Sequence, residues 1–167
     1  MLEIEIASTG NEEFLNYVLK KASFGAFVLP NFGQKGSGGR IKQNKVYREY
    51  LSTCKPIIDL VENHLIDHYV ANKFMWAKYS HALDIYVFKM NKAFRLTAKN
   101  KGPLSDWVFP DLPEDLCLYD KDGKCSLACQ SHEDICRVFF ESAEDIKLFK
   151  SWGVAFERYE HNETYCI

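Results

Sequence analysis

The stretch Leu116-Cys117-Leu118-Tyr119-Asp120-Lys121-Asp122-Gly123-Lys124-Cys125-Ser126-Leu127-Ala128-Cys129 decides how this chain is read. Apolar and small residues flank Asp122-Gly123, and an Asp-Gly pair tolerates the positive φ of a type I′ turn. The spacing predicts a two-residue hairpin that pairs Leu116–Asp120 with Cys125–Cys129. Downstream, Gln130–Asp134 reads as a loop and Ile135–Phe140 as a third strand. Ser142 stands three residues ahead of the Asp145 carboxylate and starts a helix over Ala143–Trp152. Gly153 fits the left-handed position just past a helix end. Ile146, Phe149 and Trp152 dock that helix on the sheet, and Val154–Tyr159 closes it as a strand.

Upstream the pattern turns helical. Leu2, Ile4 and Ile6 alternate with Glu3 and Glu5 as in a strand with one wet face. Thr9 and Glu12 have the spacing of a capping box, and Phe14, Leu15, Val18, Leu19 and Ala22 form one apolar helical face behind it. Phe24–Leu29, ended by Pro30, reads as a strand. Asn31–Arg40 holds four glycines in seven positions and reads as a mobile loop. Val46, Tyr50, Cys54, Ile57, Ile58, Val61, Leu65 and Tyr69 keep a spacing of three or four, which predicts a long helix. Pro56 interrupts it, so a break or kink is expected near Ser52–Lys55. Ile85–Lys89 has strand character, with Phe94–Leu96 as its expected hairpin partner.

At 167 residues, 47% of them hydrophobic, the chain has material for one domain and its core. The reading is a single domain over 1–167, with a possible sub-boundary near 99–113. The net charge is −2, but it is unevenly placed. Residues 1–105 carry 15 Lys and Arg against 9 Asp and Glu; residues 106–167 carry 6 against 14. Such asymmetry points to a charged partner unless folding interleaves the two halves. The opening residues lack the basic and apolar regions of a signal peptide, and no window approaches the ~20 apolar residues of a membrane span. Six cysteines without an export signal read as reduced thiols in the cytoplasm.

Several chemistries can be weighed by spacing. Lys35, Gly36, Gly38 and Arg40 could cradle an anion beside the start of a helix. The P-loop pattern fails there, because Gly39 and Arg40 stand where Lys and a hydroxyl residue are needed. The dinucleotide fingerprint fails at Ile41. Cys125, Cys129, His132 and Cys136 are zinc-type ligands at short spacing. On a strand, however, Cys125 and Cys129 lie about 13 Å apart at ~3.3 Å per residue, too far to share an ion that needs each ligand within ~2.3 Å. His64 and His68 are four apart and would share a helical face, but catalytic zinc needs a third protein ligand, and the nearby Glu62 and Asp67 are not at the His-Glu-x-x-His spacing. No Gly-x-Ser-x-Gly elbow occurs, and His132-Glu133-Asp134 reads as a polar turn. Basic clusters with interleaved aromatics, from Lys35 to Lys55 and from Lys89 to Lys101, leave a nucleic-acid interface open, against the negative net charge.

The reading is an α+β domain: an N-terminal helical portion, a mostly antiparallel sheet and a late docked helix. With no complete catalytic set and no implied cofactor or metal, the expected function is binding another protein. Asp120, Asp122, Glu133, Asp134, Glu141, Glu144 and Asp145 are the candidate contacts, steering a basic partner. An immunity protein that neutralises a basic, nuclease-type toxin is the concrete form. An enzyme or anion-binding protein using residues 33–40 is the alternative.

Overall fold

The computed structural model describes residues 2–6, 11–31, 34–35, 41–42, 45–140, 142–160 and 165–167. Along them run β1 (Leu2–Ile6), α1 (Glu12–Lys21), β2 (Phe24–Asn31), β3 (Gln34–Lys35), β4 (Ile41–Lys42), α2 (Lys45–Glu62), β5 (Leu65–Phe74), β6 (Ala77–Lys89), α3 (Lys92–Asn100), β7 (Glu114–Tyr119), β8 (Cys125–Gln130), β9 (Ile135–Phe140), α4 (Ala143–Ser151) and β10 (Phe156–Glu160). The fold is α+β, with N-terminal helices and a late helix beside an antiparallel sheet. The order across that sheet is β10-β1-β9-β8-β7-β2-β6-β5, and β3 and β4 form a separate ladder. Strands from both sides of residues 99–113 belong to the one large sheet, because β7 pairs with β2.

The β7–β8 hairpin forms where expected, with Leu118 opposite Leu127 and Cys117 opposite Ala128. Its turn is not type I′. Gly123 has φ +77°, while Asp122 is not in the left-handed region. Asp120 Oδ1 accepts from the amides of Asp122 (2.8 Å) and Lys124 (2.9 Å). That side chain builds a wider turn, and the register shifts between Leu118 and Tyr119. The Asp120 amide donates to the Lys124 carbonyl and the Gly123 amide to the Asp120 carbonyl, which closes a three-residue loop with left-handed Gly123 as its last member.

Alternation along the strands separates two cores. Phe27, Leu29, Phe88, Leu116, Leu118, Leu127, Cys129, Cys136 and Val138 face the helices and meet Phe14, Tyr50, Phe94, Trp107 and Phe149. Gly25 lets β2 pass close to this layer: a Cβ there would stand 2.7 Å from Cζ of Phe88. Ala26, Val28, Ile85, Val87, Cys117, Tyr119, Ala128 and Phe139 face the other way. That side is covered by Phe74 and Tyr79 near the end of the β5–β6 hairpin, with Trp76 and Tyr165 packed against them. Trp76 Nε1 donates to Gln130 Oε1 at 2.8 Å, and the Arg137 guanidinium lies 4.6 Å from its ring centre. The hairpin therefore curls back over the sheet, aided by register shifts at Leu65/Asp67 and Ala71/Lys73.

Other expectations need correction. α2 ends at Glu62, so His64 lies in the following turn and His68 in β5, where it stacks on Tyr86 at 4.2 Å. The two histidines share no helical face. α2 also runs unbroken through Pro56. Ser52, whose carbonyl loses the bond Pro56 cannot donate, is exposed, as is Pro56, so water can satisfy that group. Residues 92–100 are helix, not a strand. Asn91 accepts from the Phe94 amide at 2.8 Å, and Phe94 and Ala98 are buried. α1 is capped by Asn11, whose Oδ1 accepts from the Phe14 amide, and the expected cap Thr9 lies outside the described residues. α4 matches its expected start: Ser142 Oγ accepts from the Glu144 amide at 3.1 Å.

Candidate binding cleft and a carboxylate–histidine cluster

Where the β5–β6 hairpin leaves the plane of the sheet it opens a cleft of about 930 Å³. Its apolar lining includes Ile66, Tyr69 and Phe74 from β5, Val87 from β6, Tyr119 from β7, and Tyr165. Asp67, Lys73, Lys121 and Asp122 supply equal numbers of acids and bases around it. Size and aromatic content match sites that hold an organic ligand or a peptide side chain. One wall is the β5 edge, which is exposed along most of its length. Ile66, Tyr69 and Val70 are 50%, 41% and 55% exposed, a concentration of apolar surface on one strand. His68 N donates to Asp67 Oδ1 at 2.8 Å, so the side chain of Asp67 satisfies that amide of β5.

The β7–β8 turn separates this cleft from a second, of about 480 Å³, against α1 and α4. Three sequence-named acids border the second cleft: Asp120, Asp122 and Asp145. Each already has a local task. Asp120 holds the turn amides, and Asp122 lies 3.3 Å from Lys121 Nζ. Asp145 accepts from the Tyr17 hydroxyl and pairs with Lys21 at 3.2 Å, tying α4 to α1. Lys21, Lys121 and Lys124 line the same cleft, so its formal charges cancel.

The remaining acids lie elsewhere. Glu133 and Asp134 follow β8, at the far end of that six-residue strand from Asp120, roughly 20 Å away at ~3.3 Å per residue. Glu144 is exposed in the first turn of α4. Glu141 lies outside the described residues, as do Gly36, Gly38 and Arg40 of the anion-site expectation; Lys35 is at the end of β3. The six described acids are not gathered in one patch. Cys125 faces the opposite side of the sheet from Cys129 and Cys136, so these three thiols do not converge on one point.

A cluster of another kind appears beside Glu133. Glu114, Asp115 and His132 offer ligand-type atoms that all lie within 4.8 Å of one another. Asp115 is a bulge residue with φ +54°, which aims its carboxylate at the loop after β8. There Asp115 Oδ1 accepts from the Ser131 amide at 2.8 Å, and the Asp115 amide donates to Ser131 Oγ at 3.3 Å. Tyr79 donates to Asp115 Oδ2. Glu114 Oε1 accepts from the Phe109 amide at 3.1 Å, and Oε2 lies 3.9 Å from His132 Nδ1. Burial pushes both carboxyls above their ordinary values, with hydrogen bonds and His132 pulling back. Burial, with His132 adding, lowers His81 nearby.

Two carboxylates and an imidazole make a donor set of the first-row divalent-metal type, yet three of the four carboxylate oxygens are engaged by donors of the chain itself. Neither cleft is lined by Glu114, Asp115 or His132. Their evident work is to latch the start of β7 to the β8–β9 loop. Glu114 and Asp115 directly follow Pro113, and the bulge that brings them to Ser131 and His132 has no local signature in the sequence. Comparison of the chain with protein-family models, with curated proteins and with solved structures finds no match.

Proposed function

We propose that this protein acts by binding an extended segment of another polypeptide in the cleft beside β5. The observation that carries the reading is the junction of an exposed apolar edge strand with an aromatic-lined cavity of about 930 Å³. An edge strand offers backbone groups, and the adjoining cavity offers seats for alternate apolar side chains of a partner strand. The balanced charges around the cleft favour a partner segment rich in aromatic and aliphatic residues over a strongly charged one.

The narrower form is an immunity protein that neutralises a basic, nuclease-type toxin. Its support is the acidic composition of residues 106–167 and the placement of Asp122 in the lining of that cleft, with Asp120 in the same turn lining the second cleft. Lys21, Lys121 and Lys124 offset that charge locally. A cytoplasmic setting is supported by six cysteines that are all free. No helix of the described residues is long and apolar enough to cross a membrane.

Selection from a library of displayed random peptides against the full chain tests the binding reading. Tyr69→Glu is expected to weaken the selected peptides tenfold or more, about 1.4 kcal/mol, while Leu96→Glu on α3 leaves them unchanged. Peptides insensitive to Tyr69→Glu, or no selected peptide at all, would count against it.

A further inference from the structure

Cys129 on β8 and Cys136 on β9 stand directly opposite one another in the antiparallel ladder. Their Sγ atoms are 2.6 Å apart, closer than an ordinary non-bonded contact between sulfurs. Opposite residues of an antiparallel pair have Cα atoms about 4.5–5.5 Å apart, inside the ~4.4–6.8 Å window in which a disulfide closes without moving the backbone. Both side chains project toward the helical layer, whereas Cys117 and Cys125 face the other side.

We propose that Cys129 and Cys136 form a reversible dithiol–disulfide site whose oxidant is a small-molecule disulfide such as glutathione disulfide. The thiolate of one cysteine attacks a sulfur of the oxidant, forms a mixed disulfide and releases one glutathione thiolate. The second cysteine then displaces the other glutathione and closes the Sγ–Sγ bond. Two cysteine thiols are oxidised, the oxidant is reduced to two thiols, and the protons pass to those products. Both cysteines are 2% exposed, and burial pushes the Cys129 thiol well up, so attack proceeds through opening of the adjoining loop. That loop holds Ser131, which latches Asp115, and His132. Oxidation thus ties together the two ends of the segment that carries the carboxylate–histidine contacts.

The full chain, fully reduced, is equilibrated in buffers of rising glutathione disulfide to glutathione ratio. One set of samples stays native and a parallel set is unfolded and refolded in the same buffers. All are then denatured, alkylated and mapped by mass spectrometry. The expected result is loss of two of the six alkylatable thiols in the refolded samples, a mass lower by two hydrogens, a cross-linked peptide joining Cys129 to Cys136, and recovery of both thiols with dithiothreitol. Cys129→Ser is expected to abolish the internal bond. Six alkylatable thiols after refolding at the highest ratio, or a bond joining other cysteines, would overturn the proposal.

Discussion

Trp76 at the tip of the β5–β6 hairpin lies against Arg137 of β9, 4.6 Å from ring centre to guanidinium carbon. Four strand spacings separate β6 from β9 in the sheet, about 19 Å at ~4.8 Å each. The contact exists because the hairpin leaves the sheet plane and crosses its back, and the cleft is the space beneath its departing edge. Removing the ring with Trp76→Ala is expected to lower stability by about 1–3 kcal/mol. Amide exchange should accelerate across the tip while β7 to β9 stay protected, as hydrogen exchange would report.

Asp115 makes stability depend on pH in a defined sense. Its carboxyl is raised, chiefly by burial, so the folded chain binds that proton more tightly than the unfolded chain. The resulting contribution favours folding below the ordinary carboxylate range, ~3.9, and is lost as pH rises through the raised folded value. Glu114 acts in the same sense. His81 acts in the opposite sense: its lowered folded value means its contribution is present above ~6.5 and lost as pH falls through that value. With Asp115→Asn, the native chain should gain stability relative to the variant as pH falls from about 7 to about 4. Urea titrations at several pH values measure this, and a difference independent of pH contradicts it.

Gly25 is expected to be intolerant of any side chain. A Cβ there meets Cζ and Cε2 of Phe88 at 2.7 and 2.8 Å, and Phe88 is fully buried among Phe27 and Phe94. Gly25→Ala should therefore cost about 1–3 kcal/mol by overpacking, read from thermal or denaturant unfolding.

Asn91 does two things at once. Its Oδ1 caps α3 through the Phe94 amide, and its Nδ2 donates to the Leu60 carbonyl in the last turn of α2, each at 2.8 Å. Asn91→Ala should cost about 1–2 kcal/mol, and Asn91→Asp, which keeps the cap but loses the donor to Leu60, should recover only part of it. Asn91→Asp as stable as the native chain would show that the cap alone matters, and Asn91→Asp no more stable than Asn91→Ala would show that the cap contributes nothing.

The parts of the fold governed by neighbouring residues could be read before the structure was known. The β7–β8 hairpin, Ile135–Phe140, the capped start of α4 and the apolar face of α1 all follow from residues within a few positions of one another. β5 could not be read, because Leu65 and Tyr69 happen to continue the three-and-four spacing of α2. What makes that stretch a strand is a ladder with β6, not its own pattern. α3 was hidden for the converse reason: Phe94 and Leu96 alternate, yet Phe94 is buried and Leu96 is 57% exposed on a helix capped by Asn91. The cleft and the carboxylate–histidine cluster depend on register shifts and on contacts such as Trp76–Gln130 and Tyr79–Asp115, whose partners lie 54 and 36 residues apart. The acidic tally of residues 106–167 was correct as composition, but the turn, α1 and the β8–β9 loop distribute those side chains to different places.

The binding account is tested most directly by site-specific photo-crosslinking in cells that produce this protein naturally. A benzophenone side chain is placed at Tyr69 in the cleft or at Leu96 on α3, both exposed apolar positions. The account expects a discrete crosslink to another polypeptide from position 69 and none from position 96. No adduct at 69, or the same adducts from both positions, would contradict it.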